Sequence, residues 1–279
     1  MIELNRKQIH ELLPKFTGQT ALELQFALEL QYAYNEENPF GSMSGVPVYS
    51  DNAESPNIVL IGSIGYMHLF GNAANFEDES VLLGVVKHLY ADSDKKIFFN
   101  LYAPNWEQKL SKIYSEYKKE IWTRHNYRLD KVLFSQHYDW RSKVPDGFIM
   151  RYFDVYSDEF LDKHNKKRDF WFPKSKRFGQ VLMKDDEIIS ECYSVYYEKE
   201  SYNADVARVV EIGIETKDEY RRQGFAYLTA AAFIEHCLLH NLEPNWGHWH
   251  FNPESYALAL KMGFKEISQR QAILFTPEQ

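Results

Sequence analysis

Residues 209–239 confine this chain more than any other stretch. They open with a β-branched run, Val209, Val210, Ile212 and Ile214, that reads as a buried strand, and close with a proline-free, Ala- and Leu-rich segment that reads as a helix. Between the two lies Arg221-Arg222-Gln223-Gly224-Phe225-Ala226. Gly224 and the small Ala226 leave room for a ligand to touch main chain, and the first-turn N–H groups of a helix have no partner within the helix. A phosphate supplies one. The summed peptide dipoles and two adjacent guanidinium groups draw negative charge to the same spot. The Gly-Lys-Ser/Thr ending of a nucleoside-triphosphate loop is missing, and so are the three spaced glycines of a dinucleotide fingerprint.

The length of 279 residues exceeds what one small core usually holds and points to two domains. Hydrophobic residues make up 44%, with 19 Tyr, 19 Phe and 6 Trp, so there is ample material for burial. A net charge of −8 argues against a nucleic-acid partner, which needs a clustered basic face, and permits cationic amines. No apolar run approaches the length of a membrane span, and the N-terminus is charged and amphipathic, so a cytoplasmic location without membrane attachment is expected. Cys192 and Cys237 each sit in an apolar stretch and are expected as buried free thiols. Nothing distinguishes a monomer from a homodimer.

Along the chain, residues 4–13 and 18–35 read as helices, 58–70 as a strand or strand pair, 77–90 as a helix and 96–102 as a strand. A helix over 105–117 and a strand within 127–134 follow. The polar stretch 136–146, with Pro145 next to Gly147, reads as a connector. Beyond it, 148–153 alternates as a strand and 157–161 carries an N-cap and a short helix. The basic run Lys163, Lys166, Lys167 and Arg168 is a solvated face or an aid to holding a phosphate. Residues 178–183 and 188–197 form a hairpin across Lys184-Asp185-Asp186-Glu187. The central helix is stopped by Asn241 in a left-handed C′ conformation and by Pro244. A Trp- and His-rich strand over 244–251 precedes a helix capped by Asn252 and Pro253 and stopped by Gly263, and 264–275 closes the sheet.

The spacing Arg221-x-x-Gly224-x-Ala226 after a β-strand resembles the pyrophosphate loop of the GNAT superfamily, the acetyl-CoA-dependent N-acyltransferases. In that superfamily the strand after the pyrophosphate helix is commonly followed by an Asn, a helix and a Gly-Phe, and Asn252 through Met262-Gly263-Phe264 is similar. The resemblance covers roughly residues 147–275. More narrowly, Glu211-Ile212-Gly213-Ile214-Glu215-Thr216 with Tyr220-Arg221 and the Trp-rich strand looks like the bacterial group that includes the zwittermicin A resistance acetyltransferase. The resemblance implies an α/β (α+β) architecture. A GNAT fold with a central mixed, mostly antiparallel sheet flanked by helices is expected over 144–279. An N-terminal α+β domain over 1–143 precedes it, either a degenerate GNAT-like copy or an unrelated domain. Gly71-Asn72-Ala73-Ala74-Asn75 stands where a second loop would be and carries no basic residue.

Carried over residue by residue, the resemblance implies that Ile214, Glu215 and Thr216 offer main-chain hydrogen bonds to the pantetheine arm of acetyl-CoA. Arg221, Arg222, Gln223, Gly224, Phe225, Ala226 and Tyr227 would surround the pyrophosphate, and Asn252 would touch the cofactor where its arm leaves the sheet. The chemistry asks for a neutral amine nucleophile, a donor for the tetrahedral oxyanion and a proton for the departing thiolate. The N–H near Thr216 can be the donor. Glu211 and Glu215 share a strand face with Gly213. Glu211 is favoured as base, Glu215 is its competitor, and a purely structural glutamate is the alternative.

Many family members place a Tyr seven residues after the Asn; here that position is Ala259, and Tyr256, one turn earlier, is the substitute acid. His248 and His250, with Trp246, line an acceptor pocket or pack as satisfied core. His236 and His240 lie one helical turn apart without a metalloenzyme motif, so no metal is expected. No nucleophile elbow is visible, so the amine should attack the thioester directly. The expected acceptor is a primary amine of a small molecule. A protein amine, or an acyl-CoA-binding protein without turnover, remains open.

Overall fold

The computed structural model describes residues 1–15, 26–27, 30, 47–63, 66–76, 79–89, 96–103, 105–154, 178–196 and 208–277. The chain forms two compact units, Met1–Arg124 with Ser268–Gln279, and His125–Ile267. The helices expected over 18–35 and 157–161 and the basic run 163–168 lie outside the described residues, apart from Phe26, Ala27 and Leu30.

The first unit holds β1 (Ile2–Glu3), α1 (Arg6–Leu12), β2 (Val48–Ser50), β3 (Val59–Ser63), β4 (Tyr66–Phe70), α2 (Glu79–Leu89), β5 (Ile97–Leu101), α3 (Trp106–Ile113) and the start of β6 (Tyr117–Leu129). Its sheet runs β1-β2-β3-β4-β5-β12-β6, with β12 (Phe264–Pro277) contributing its residues from Ser268 onward. β4 and β5 are parallel, joined by the crossover helix α2. Asn5 caps α1 and forms a reciprocal capping box with Gln8. Every residue of β5 is buried, as expected for a strand covered on both faces. One face packs Leu69, Phe99, Leu101 and Ile273 against Leu82, Val86, Trp106 and Leu110 of the helices.

The other face of this unit buries polar groups. His68 Nδ1 lies 3.2 Å from Tyr102 Oη, and the Arg270 guanidinium sits 4.9 Å from the Tyr102 ring and bonds Asn100. Burial, with the Arg270 charge adding to it, lowers the His68 pKa from 6.5 to about 3. A histidine held neutral contributes stability that is present above its unfolded pKa near 6.5 and is lost as pH falls toward 3. Between pH 7 and 5, denaturant titrations will show His68 contributing up to about 1.4 kcal/mol per pH unit to the slope of stability against pH, and His68→Leu will remove that share while leaving that of His236. Equal slopes in both proteins would remove His68 as the cause.

The second unit contains the end of β6, the short helix α4 (Lys131–Phe134), β7 (Phe148–Asp154), β8 (Phe178–Lys184), β9 (Glu187–Tyr196), β10 (Val209–Thr216), α5 (Phe225–Leu239), β11 (Glu243–Trp249), α6 (Pro253–Lys261) and the start of β12. The order is β12-β6-β11-β10-β9-β8-β7, antiparallel from β10 to β7, with β10 and β11 parallel around α5. The β8–β9 turn puts both Asp185 and Asp186 at positive φ, 49° and 63°, the twist a two-residue hairpin needs. Helix α5 is mostly apolar and buries Ala230, Ala231, Ala232, Phe233 and Ile234. It ends where Asn241 takes φ 58° and Leu242 N–H donates to the Cys237 carbonyl at 2.8 Å, as the sequence predicts. Cys192 and Cys237 are buried free thiols, and burial raises the pKa of each.

The succession strand, strand, helix, parallel strand, helix, strand occurs in each unit, as β3-β4-α2-β5-α3-β6 and β9-β10-α5-β11-α6-β12. Two stretches differ from the sequence reading. The strand placed within 127–134 is the end of a longer strand, β6, that begins at Tyr117, and helix α3 ends earlier than expected, at Ile113. The stretch 136–146 includes a 3-10 segment, Ser135–Lys143, that buries His137 and Trp140. Trp140 Nε1 donates to Glu235 of α5 at 3.0 Å, and Arg141 pairs with the same carboxylate at 2.7 Å. Those anchors bind residues 125–143 into the second unit. No described helix is long and apolar enough to cross a membrane.

Candidate functional site

The parallel strands β10 and β11 pair at Val209 with Glu243, Val210 with Pro244 and Glu211 with Asn245. There the pairing stops, although β10 continues to Thr216 and β11 to Trp249. On its other edge β10 stays paired with β9 through Thr216, with a register irregularity between Glu211 and Ile212. Among the described residues, Ile212 to Thr216 thus offer main-chain groups along one edge to something that is not a strand. An extended amide-bearing chain fits such an edge.

This opening leads to the loop. After Thr216 come the turn Asp218–Tyr220, then Arg221, Arg222 at φ 61°, Gln223, and Gly224 at φ 88° as the N-cap of α5. Gly224 has no side chain with which to cap the helix, and a Cβ there would meet nothing within 4 Å. The N–H groups of the first turn therefore face open space. A pocket of about 660 Å³ adjoins them, lined by Gln223, Gly224, Tyr227, His137, Lys143 and Lys261 among others. Arg221 bends back, pairing with Asp218 at 2.9 Å and donating from Nε to the Thr216 carbonyl at 3.3 Å. Its guanidinium thus shapes the turn, and the positive lining of the pocket comes from Lys143 and Lys261.

The corresponding turn of the first unit is closed by its own protein. A Cβ on Gly71 would lie 2.0 Å from the Asn57 carbonyl oxygen. Trp106 Nε1 donates to the Gly71 carbonyl at 2.7 Å, and Lys109 Nζ donates to the carbonyls of Ala73 and Phe76. Those contacts leave no bare, open turn at this place.

Of the two glutamates, Glu211 stands at the last paired position and is buried at 5% exposure. Glu215 is exposed, lies opposite Glu191 and accepts from Tyr193 Oη at 3.0 Å. Gly213 makes room for that tyrosine, since a Cβ there would lie 2.4 Å from the Tyr193 ring.

A second polar cluster gathers under α6. Tyr127 Oη lies 2.9 Å from His248 Nε2 and 3.3 Å from Glu266 Oε2, and His125 Nδ1 meets the same Glu266 oxygen at 3.1 Å. His125 stacks on His248 with centroids 5.1 Å apart, and Tyr256 approaches His248 at 5.7 Å and Tyr127 at 6.4 Å. His248 Nδ1 faces the Trp249 carbonyl at 2.9 Å, which makes Nδ1 the donor and leaves Nε2 of the neutral ring as acceptor. One phenolic proton then serves two acceptors, His248 and Glu266. Burial, with Glu266 adding to it, pushes the Tyr127 pKa up to about 12.

The remaining predicted residues are dispersed. Trp246 is buried and donates to Ser255 Oγ at 2.9 Å, which ties β11 to α6. His250 lies past the end of β11, in a turn beside Phe251, so it shares no strand face with His248. Asn252 accepts from Ser255 N–H at 3.0 Å as the N-cap of α6, and Ala259 is fully buried. His236 and His240 stack at 4.1 Å, and burial, reinforced by His240, lowers the His236 pKa to about 4. Among the described residues no group of three His, Cys, Asp or Glu side chains is placed to hold a metal. The sequence reading missed Lys143, Lys261, His137 and Tyr127. The His137–Trp140 spacing in a stretch read as linker was the one available signal.

Comparison with known proteins agrees with this geometry. A relative from Bacillus subtilis (strain 168), the uncharacterized N-acetyltransferase YdfB, is 24% identical over 229 residues, covering 80% of this chain and 82% of the relative. The GCN5-related N-acetyltransferase-like protein of Streptococcus suis 89/1591 matches in structure with a TM-score of 0.63 at 20% identity, over 96% of this chain and 98% of that one. A tandem GNAT protein from the clavulanic acid biosynthesis pathway matches with a TM-score of 0.64 at 10% identity, over 100% of this chain and 98% of that one. The family model described as GNAT acetyltransferase matches residues 41–273, and the chain belongs to that family.

Proposed function

We propose that the protein transfers an acetyl group from acetyl-CoA to a primary amine of a small molecule. The observation that carries this reading is the gap that begins beyond Glu211 and Asn245 and runs to the bare N-terminus of α5. A pantetheine arm laid along Ile214, Glu215 and Thr216 would place its diphosphate against Gln223 to Tyr227, where main-chain N–H groups and the helix dipole favour it. Its thioester would then reach the Glu211 end of the gap.

Glu211 removes the proton from the ammonium of the acceptor, directly or through water, and the freed amine attacks the thioester carbon. A main-chain N–H of the open β10 edge next to Glu211 supports the oxyanion, because Thr216 stands about 16 Å farther along the strand, beside the arm. As the C–S bond breaks, Tyr256 gives its proton to the sulfur, and the proton shed by the acylated nitrogen restores the phenol through water, while the proton held by Glu211 passes to solvent. Glu215 is the less suited base because it is exposed and already held by Tyr193. The closed turn at Gly71 supports reading the first unit as a GNAT-like copy without a cofactor site. The narrower likeness over 211–221 favours an antibiotic-like acceptor over a protein amine.

Steady CoA release from acetyl-CoA with a panel of amines, matched by acylated product, tests the reading. Tight CoA binding without release by any amine would leave a binding protein instead. Within an active enzyme, Tyr256→Phe should lower kcat by about 10²-fold with KM nearly constant, in line with the loss of a general acid. A variant at full rate would assign the proton to another group.

A further inference from the structure

The pocket beside the Gly224 loop carries more positive charge than a diphosphate held by main-chain N–H groups requires. Lys143 Nζ and Lys261 Nζ lie 5.4 and 4.7 Å from the centroid of one ring, that of Tyr227. Two ammonium ions around one side chain repel each other unless an anion stands between them. Lys143 has an exposed partner, Asp139, at 2.9 Å, and the hydrogen bonds to Asp139 and Tyr227 raise its pKa. Lys261 forms no ion pair among the described residues.

His137 supplies an independent observation. It is 8% exposed and lines the same pocket. Its Nδ1 lies 3.0 Å from Tyr227 Oη, and Lys143 Nζ donates to that oxygen at 3.3 Å. Since the ammonium can only donate, the phenol proton is left to donate to Nδ1, and the neutral ring carries its own proton on Nε2. That Nε2 has no hydrogen bond of full geometry; burial lowers the His137 pKa and holds the ring neutral, with the Lys261 carbonyl opposing the shift in part. A buried donor without a full hydrogen bond and two converging ammonium ions describe a cradle for a compact, doubly charged anion. A diphosphate diester spreads one charge over each phosphorus, whereas a phosphomonoester concentrates close to two on one.

We propose that Lys143, Lys261 and His137 form a phosphomonoester subsite that takes the 3′-phosphate of coenzyme A and makes the protein select CoA over dephospho-CoA. This rests on the coenzyme reading above. It assigns to residues from the 3-10 segment and the end of α6 a discrimination that the loop itself cannot make.

Titration calorimetry of the full-length protein with CoA and with dephospho-CoA tests it, using wild type, Lys143→Met, Lys261→Met and the double variant. Wild type should prefer CoA by about 10- to 100-fold, the share expected of charge-assisted contacts to one phosphate. The double variant should bind both ligands alike, with its dephospho-CoA affinity within about twofold of wild type, which also shows that the loop is intact. Equal wild-type affinities, a preference that survives the double substitution, or an equal loss for both ligands would each overturn the subsite. Failure of wild type to bind either ligand would overturn the coenzyme reading with it, an outcome distinct from binding both alike.

Discussion

Gly224→Val will weaken CoA binding by about 10²-fold or more while the protein remains folded. Gly224 sits at φ 88°, a conformation that costs an L-residue about 1–2 kcal/mol, and a β-branched side chain suffers most there. Nothing lies within 4 Å of the position a Cβ would take, so the added methyl groups meet no protein atom. They stand instead in the mouth of the pocket, against the first-turn N–H groups. Gly224→Ala separates the two effects, because it carries most of the backbone strain and little of the bulk. Thermal melting should place both variants a few degrees below wild type, whereas calorimetry should find severe loss only for valine. Unchanged CoA affinity in Gly224→Val would mean that the diphosphate is held elsewhere.

Glu211→Gln should lower kcat by about 10²- to 10⁴-fold and leave the Kd for CoA unchanged. The amide keeps the shape and one accepting oxygen, but its NH2 group only donates and cannot take a proton at neutral pH. Glu215→Gln should be mild, because that carboxylate is exposed and its visible contact is the Tyr193 hydroxyl, which an amide oxygen also accepts. A Glu211→Gln enzyme at full rate, with Glu215→Gln impaired, would exchange the two roles. Stopped-flow measurement of the acylation step, rather than steady-state rate alone, keeps slow product release from hiding the change.

The second unit is legible in the sequence where local chemistry is decisive. Gly224 before an apolar helix, Asn241 after it, Asn252-Pro253 before the next and Asp185-Asp186 between two strands each announce a backbone conformation that few residues adopt. The stop in β10–β11 pairing has no such mark, since Ile212 and Ile214 look like any strand residues and only the neighbouring strand shows that the pairing ends. Residues 136–146 read as linker because Ser, Lys and Asp outnumber the apolar groups, yet Trp140 and His137 fasten the stretch to α5. Lys143 and Lys261 look like ordinary solvated lysines in one dimension, and only the fold brings them to one tyrosine ring. In the same way Tyr127, His248 and Glu266 come from three strands and have no sequence spacing to betray them.

Arg221 shows the reverse case, a residue whose sequence neighbourhood suggests an anion ligand and whose side chain serves its own turn. Asp218, three residues earlier, is the competing carboxylate. The first unit has the same succession of elements with a different turn: Gly71 stands at φ 99°, and Asn57, Trp106 and Lys109 pack against the turn where Gly224 is bare.

The most direct test of the account is a crystal structure with coenzyme A bound. The account predicts the diphosphate on the N–H groups of Gly224 to Tyr227, the pantetheine arm beside Ile214 to Thr216, and the sulfur at the Glu211 end of the gap between β10 and β11. A coenzyme found away from the Gly224 loop, or a gap between those strands filled by the protein's own side chains while the coenzyme binds elsewhere, would contradict it.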